Sequence, residues 1–246
     1  MRKVGIIPAR YKSSRFPGKP LAIINGTPMI IHVARIVERA LGKENTFVAT
    51  EDKRIEETVK SFGYQVVLTD DDCLTGTDRV WQAAKSIDAD VYMNIQGDEP
   101  MLNPVDILNI AREKISSPDH VVNGMCRLSG TESAENINIP KTLVSESNTL
   151  IYMSRLPIPG IKDTKKGLPE YWKQVCIYAF SFQELKSFGE FGRKAEFEEF
   201  EDIEILRFLE LGIPVKMVET TQASLAVDIP EDIEKVETAM KQIISK

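Results

Sequence analysis

Four cationic side chains, Arg10, Lys12, Arg15 and Lys19, fall within ten residues of one another in IIPARYKSSRFPGKP, with Ser13, Ser14 and Gly18 among them. That mixture suits a polyanion. Arginine offers a planar fork, lysine a point charge, and small residues let backbone amides approach phosphate oxygens. The stretch follows residues 4–7, an apolar run that reads as a buried strand, and ligands of doubly wound sheets sit outside the carboxyl ends of their strands. A triphosphate is the expected occupant; the alternative is a solvated basic turn. The loop is not a GxxxxGK[ST] phosphate loop, because Pro20 follows Lys19, and no GxGxxG string marks a dinucleotide fold.

Carboxylates supply the complementary chemistry. Asp98 of NIQGDEP follows another apolar run. Mg²⁺ takes few protein carboxylates and fills its shell with phosphate oxygens and water, so a carboxylate facing a phosphate loop fits it. Asp228 of AVDIPED is a second candidate ligand. It reads equally as a helix N-cap, with Pro230 at a first helical position. Neither histidine offers itself as a general base: His32 lies in an apolar helical pattern and His120 in a turn.

These groups need a scaffold. In the first half, VGIIPA, TFVAT, YQVVLT and ADVYMNI read as strands. They alternate with the helical patterns TPMIIHVARIVERALG, EDKRIEETVKSFG, TDRVWQAAKSI and PVDILNIAREKI. NGT at 25–27 reads as a hairpin turn. The alternation predicts an α/β fold, a Rossmann-like, mostly parallel (mixed) sheet with helices on both faces and right-handed crossovers. The second half is less regular. HVVNGMCRL, KTLVSE, LIYMSRLPIP, KQVCIYAFSF, PVKMVET and SLAVD read as strands, KQVCIYAFSF in an antiparallel pair. EFEEFEDIEILRFLELG reads as one long acidic helix, PEDIEKVETAMKQIIS as a closing helix capped at or near Asp228, and KDTKKGLPEY as a flexible loop.

The 246 residues bury an ample core, and a net charge of −6 argues against general nucleic-acid binding. Apolar runs stay well short of the ~18 residues of a membrane span. MRKVGIIPAR has no leader pattern, and Cys73, Cys126 and Cys176 lie far apart. One domain over 1–246 is expected, with an inserted or appended sub-region. It should be cytoplasmic, with free thiols and without membrane span or structural zinc.

IIPARYKSSRFPGKPLAIINGTPMI, VATED, TGTDR, NIQGDEP, YMSRLPIP, IYAF and VDIPEDIEKVE, in this order, resemble the CMP-Kdo synthetase (3-deoxy-manno-octulosonate cytidylyltransferase) family over nearly the whole chain. The resemblance implies a nucleotidyltransferase fold of GT-A-like type. Its nucleotide-binding half would span about 1–115 and its sugar-binding and dimerisation half about 116–246. It also implies the reaction: the anomeric hydroxyl of a 3-deoxy-ulosonic acid attacks the α-phosphate of CTP, giving a CMP-sugar and pyrophosphate for lipopolysaccharide biosynthesis. By the same resemblance, Arg10 and Lys19 grip the phosphates, with Ser13 and Arg15 in their loop, and Ala9, Thr77, Arg79 and Gln96 form the cytidine pocket. Asp98 and Asp228 hold Mg²⁺, while Arg155, Gln174, Tyr178 and Glu204 belong to the sugar pocket. The catalytic set is then Arg10, Lys19, Asp98 and Asp228. A homodimer is implied too, with residues 150–158 and 175–182 as apolar segments suited to its interface.

Departures from the family gather in the sugar half. Its H-x-G-I-Y is here Gln174-Val175-Cys176-Ile177-Tyr178, its L-E-Q-L-R is Ile203-Glu204-Ile205-Leu206-Arg207, and its G-V-D-T is Ala226-Val227-Asp228-Ile229. Losing a histidine, a glutamine and a threonine from a pocket that reads hydroxyls can move specificity by orders of magnitude. The expected acceptor is Kdo or a close analogue such as 8-amino-8-deoxy-Kdo, whose amine would suit the run Glu196, Glu198, Glu199, Glu201 and Glu204. Rival readings are a nucleotidyltransferase for a nonulosonate or sugar 1-phosphate, and a CTP-binding module without transfer. Arg155 favours an acceptor bearing a carboxylate, and keeping both Asp98 and Asp228 argues against a mere binder.

Overall fold

The computed structural model describes residues 1–13, 16–130, 132–163, 165, 167–221 and 225–244, the last two by backbone alone. Strand β1 (Lys3–Ala9) leads through the basic loop to a hairpin of β2 (Ile23–Ile24) and β3 (Thr27–Pro28). Then come α1 (Met29–Leu41), β4 (Thr46–Thr50), α2 (Lys53–Ser61), β5 (Gln65–Leu68), α3 (Gly76–Ala84), β6 (Val91–Ile95) and α4 (Pro104–Ser116). The second half holds β7 (Val121–Arg127), β8 (Lys141–Val144), β9 (Leu150–Ser154), β10 (Trp172–Phe180), α5 (Phe182–Glu190), α6 (Glu196–Glu201), α7 (Ile205–Glu210), β11 (Val215–Glu219) and α8 (Asp232–Ile244).

Local chemistry accounts for many of these boundaries. Asp52, Thr75 and Asn103 accept backbone N–H bonds at the starts of α2, α3 and α4, satisfying donors that a helix leaves open. Ser181 and Glu184 form a reciprocal capping box on α5. The β2–β3 turn places Asn25 and Gly26 at φ 46° and 76°, and two positive φ values in sequence are what a two-residue hairpin turn requires.

The sheet runs β11-β7-β10-β6-β1-β4-β5. β1 is parallel to β4 and β6, β4 to β5, and β11 to β7, whereas β10 is antiparallel to both its neighbours. The β8–β9 hairpin branches from the first residues of β10. This is the mixed, mostly parallel α/β sheet expected. Central strands are buried on both faces, which explains their nearly unbroken apolar runs. Ile30, Ile55 and Ile110 of α1, α2 and α4 pack on one face; Val80, Phe188 and Phe208 of α3, α5 and α7 pack on the other.

Three expectations fail. EFEEFEDIEILRFLELG is two helices, α6 and α7, broken at Asp202 in the left-handed region (φ 49°, ψ 49°); aspartate is among the few side chains that tolerate it. In SLAVD, residues 225–228 form no strand and Ser224 lies outside the described residues. Regular helix in α8 begins at Asp232, after a turn in which Asp232 N–H donates to Ile229 O and Ile233 N–H to Pro230 O, and Asp232 Oδ2 accepts from the backbone N–H groups of Asp228 and Ile229. Residues 175–180 lie inside the sheet between β6 and β7 and are mostly buried, so they belong to core rather than to an interface. Among the described residues, no helix is long and apolar enough to cross a membrane.

Candidate active site

The basic loop is held from behind. Gly18 N–H donates to Tyr11 O at 2.9 Å, closing the loop on itself, and Gly18 adopts φ 73° with the Tyr11 ring 3.1 Å from where a Cβ would stand. Both the conformation and the close ring favour glycine. Tyr11 N–H donates to Glu51 Oε1 at 3.0 Å, and the Arg54 guanidinium stacks 3.3 Å over the Tyr11 ring. Glu51 follows β4 directly, so the ends of β1 and β4 are tied together at the loop. Arg10 is exposed and Ser13 half-buried, and both line the cleft; Ser13 Oγ accepts from Phe16 N–H at 3.2 Å. Arg15 lies outside the described residues.

Two carboxylates remote in sequence meet the loop's last cation. Lys19 Nζ is 2.7 Å from Asp98 Oδ2 and 3.9 Å from Asp228 Oδ1, and it donates to Val227 O at 3.0 Å. Asp98 sits just beyond β6, as a strand-end ligand should. Asp228 is brought there by backbone pairing, Val227 N–H to Asp98 O at 2.9 Å, and by the buried Val227 side chain, which packs with Ile24, Met29 and Val236. Among the described residues, no group of three or more His, Cys, Asp and Glu side chains forms a ready metal cage. Two carboxylates converging on one positive centre, beside a phosphate-type loop, nonetheless fit a hard divalent cation that takes its remaining ligands from phosphate and water.

The floor mixes predicted and unpredicted residues. Ala9, Gln96 and Arg79 line the cleft. Arg79 is only 4% exposed, with Nη1 2.9 Å from Glu51 Oε2 and bonded to Thr69 Oγ1 and Asp70 O. Thr77 is 1% exposed and lies beneath the cleft, whose wall includes its neighbours Gly76 and Arg79. Its hydroxyl donates to Glu204 Oε2 and accepts from Asn94 Nδ2 at 3.1 Å. Glu204 also accepts from Gly76 N–H at 3.0 Å and Thr77 N–H at 2.9 Å, so its carboxylate caps the positive end of α3. Burial still pushes its pKa up, with the Thr77 and Gly76 bonds opposing. Asp202 and Cys73 line the cleft without having been predicted. The Lys194 ammonium beside Asp202 holds that carboxyl below its usual range, and burial raises the Cys73 thiol to about 11.

Sugar-half residues are placed less as expected. Arg155 donates through Nε to Glu201 O, through Nη1 to Ile137 O at 2.8 Å and through Nη2 to Asp202 O at 2.9 Å, so it clamps the α6–α7 break and is not in the cleft wall. Tyr178 is 4% exposed, and its hydroxyl accepts from Gln174 Nε2 at 3.2 Å. Ile205 is fully buried in the core, so its departure from the family is a packing position. The sequence signal for Glu51 was VATED, a carboxylate just past a strand end; none marked Asp202, whose place depends on the helix break.

Known proteins resemble this chain over nearly its whole length. A family model described as cytidylyltransferase matches residues 4–221. A 3-deoxy-manno-octulosonate cytidylyltransferase of Escherichia coli is 36% identical over 246 residues, covering 100% of this chain and 98% of the relative. An 8-amino-3,8-dideoxy-manno-octulosonate cytidylyltransferase of Shewanella putrefaciens is 38% identical over 245 residues, covering 96% and 98%. Among solved structures, a CMP:2-keto-3-deoxy-manno-octonic acid synthetase complexed with CTP superposes with a TM-score of 0.91 at 36% identity, covering 99% of this chain and 100% of that one.

Proposed function

The chain belongs to the cytidylyltransferase family, and we propose that it transfers CMP from CTP to the anomeric hydroxyl of a 3-deoxy-ulosonic acid, Kdo or its 8-amino-8-deoxy analogue. The observation that carries this is the convergence of Lys19, Asp98 and Asp228 in one cleft. Full-length relatives named for each of these two acceptors support it. Arg10 and Lys19 would bind the triphosphate and offset its charge, with Ser13 in the same loop; Arg15 is assigned there by resemblance alone. Ala9, Gln96 and Arg79 would meet the cytidine, and Thr77 would act beneath them by holding Glu204. Asp98 and Asp228 would hold Mg²⁺, which when bound lowers the pKa of a nearby hydroxyl and neutralises phosphate charge. Phosphoryl-type transfer asks mainly for such positioning and charge neutralisation, so the lack of a histidine at the cleft is no obstacle.

Lys19 fits this role because its ammonium already lies between the two carboxylates. Triphosphate oxygens would draw it toward the loop and leave Asp98 and Asp228 for the metal. Pyrophosphate release from CTP and Mg²⁺ tests the reading, run with Kdo, 8-amino-8-deoxy-Kdo and N-acetylneuraminate. Turnover with either octulosonate is expected. CTP binding without pyrophosphate from any of the three would overturn it and leave a binding module. We propose further a cytoplasmic homodimer supplying activated sugar for a cell-surface glycan. Supporting the dimer, the exposed apolar residues Ile137, Ile151, Leu156, Phe197 and Phe200 cluster on and beside the β8–β9 hairpin.

A further inference from the structure

One carboxylate behind the cleft serves two of its walls. Glu51 follows β4 directly, and β4 lies between β1 and β5 in the sheet. From that middle position it reaches both neighbours. Its Oε1 accepts from Tyr11 N–H at 3.0 Å, in the loop that follows β1. Its Oε2 lies 2.9 Å from Arg79 Nη1, and the same Nη1 donates to Thr69 Oγ1 and Asp70 O just past β5. Glu51 itself is outside the cleft wall, whereas Arg10, next to Tyr11, is part of it, and so is Arg79. The contact with Arg79 is an ion pair and not an aligned hydrogen bond, since Oε2 is buried without one. Among the described residues, Arg79 makes no bond through Nε or Nη2, which leaves those donors for a ligand in the cleft it lines.

Both partners of Glu51 are donors, so the position needs two accepting atoms on one side chain. Among side chains only an ionised carboxylate provides them. Glutamine has the same shape with one acceptor and one amino group, and in either orientation it turns N–H toward N–H at one of the two contacts. The pair is also shielded from solvent. Arg79 is 4% exposed and the Glu51 side chain 11%, so their attraction is little screened and removing one charge strands the other. The surroundings of Glu51 are fixed in turn. Asp52 N–H donates to Thr50 Oγ1 at 3.2 Å, and Arg54, paired with Asp52 at 2.6 Å, covers the Tyr11 ring.

We infer that Glu51 is a positioning residue that holds the basic loop and Arg79 at one fixed separation, so that the phosphates and the nucleoside end of one nucleoside triphosphate are bound together. Two binding groups held in register before the ligand arrives spare it an ordering cost that would otherwise come out of its affinity. The inference deepens the cytidylyltransferase reading above and rests on it for the identity of the nucleotide. Position and field predict opposite signs here. Removing a negative charge near a triphosphate would, by Coulomb attraction alone, tighten CTP. Freeing the loop from Arg79 weakens it.

The test is the calorimetric Kd for CTP with Mg²⁺, together with kcat and both KM values for pyrophosphate release from CTP and the better of the two octulosonates. It compares the wild type with Glu51→Gln and Glu51→Asp. Glu51→Gln should weaken CTP about tenfold or more in Kd and KM, the scale of one lost contact to a charged group. Its kcat at saturating CTP and its KM for the octulosonate should stay within about threefold. Glu51→Asp keeps both oxygens on a shorter stem and should fall between. A merely destabilised fold would lower the binding stoichiometry and kcat and leave Kd and KM unmoved. That result, CTP binding that is unchanged or tighter, or KM values for both substrates rising together overturns this inference alone. Should Glu51→Gln not fold, Glu51→Asp decides: weaker CTP with an unmoved octulosonate KM supports the inference, and wild-type CTP affinity overturns it. If the wild type binds CTP but turns over neither octulosonate, the transferase reading falls, and the variants' Kd for CTP judges Glu51 by the same signs. A wild type that binds no CTP overturns both.

Discussion

Lys19 is where the charges of the cleft meet, and substitutions around it should separate chemistry from folding. Lys19→Met, Asp98→Asn and Asp228→Asn are each expected to lower kcat/KM about a hundredfold or more, equivalent to ~3 kcal/mol of transition-state stabilisation. Asp228→Asn should leave the thermal midpoint nearly unchanged, because asparagine keeps an accepting oxygen at the turn before α8 and loses only the charge; a large drop in stability with activity kept would give Asp228 a structural role instead. Arg155 gives the opposite expectation. A lysine cannot span the three carbonyls of Ile137, Glu201 and Asp202, so Arg155→Lys should lower stability while sparing the KM for the sugar. A raised KM at unchanged stability would return Arg155 to the sugar site. At this scale the charged residues of the cleft were legible, since Arg10, Lys19 and Asp98 follow strand ends that the apolar runs mark. Thr77 and Arg155 were not, because a side chain's partner depends on strands brought in from elsewhere in the chain.

Among the elements, α3, α6 and α7 form a unit held by one buried cation. Arg207 is fully buried, bonded through Nε and Nη2 to Glu198 at 2.6 Å and through Nη1 to Asp78 at 2.8 Å, with its guanidinium 3.7 Å over Phe188. Removing one member of such a buried set leaves the others uncompensated, so Arg207→Met should cost about 3–5 kcal/mol in denaturant unfolding. The acidic stretch read as one helix because nothing in EFEEFEDIEILRFLELG breaks its pattern. Burial of Ile203 and Arg207, together with Glu204 reaching the start of α3, favours a break at Asp202. Strand and helix order was otherwise legible from alternation alone; SLAVD failed because four apolar or small residues do not need a ladder when Val227 can bury itself under α8. α2 offers a pH test. The Arg54 side chain beside Asp52 holds that carboxyl below its ordinary 3.8. A lowered carboxyl pKa contributes stability that is complete above the ordinary value and is lost as pH falls through the lowered one. Thermal midpoints should therefore fall more steeply below about pH 4 in the wild type than in Asp52→Asn, which keeps the cap but not the charge.

For the whole molecule, the proposed dimer predicts where a charge would be most damaging. Phe200 is 83% exposed and Ile151 56%, and side chains of this kind on one hairpin and its neighbouring helix mark an association surface more than a solvated one. Phe200→Glu with Ile151→Glu should convert a species of twice the chain mass in light scattering to one of chain mass, with CTP affinity retained; a monomeric wild type would dismiss the dimer. The reversed strand β10 carries another consequence, one that concerns synthesis. β7 and β11 join the sheet only through β10, yet β6 ends at Ile95 and β10 begins at Trp172. A chain emerging from the ribosome can build β5-β4-β1-β6 from nearby segments, but β6 must then wait with an open hydrogen-bonding edge. Open edges and long-range pairings are the slow and aggregation-exposed steps of assembly. Nascent chains halted between these two strands should therefore be the ones that associate wrongly, and the arrival of residues 172–180 should seal the edge and let β7 and β11 join the sheet.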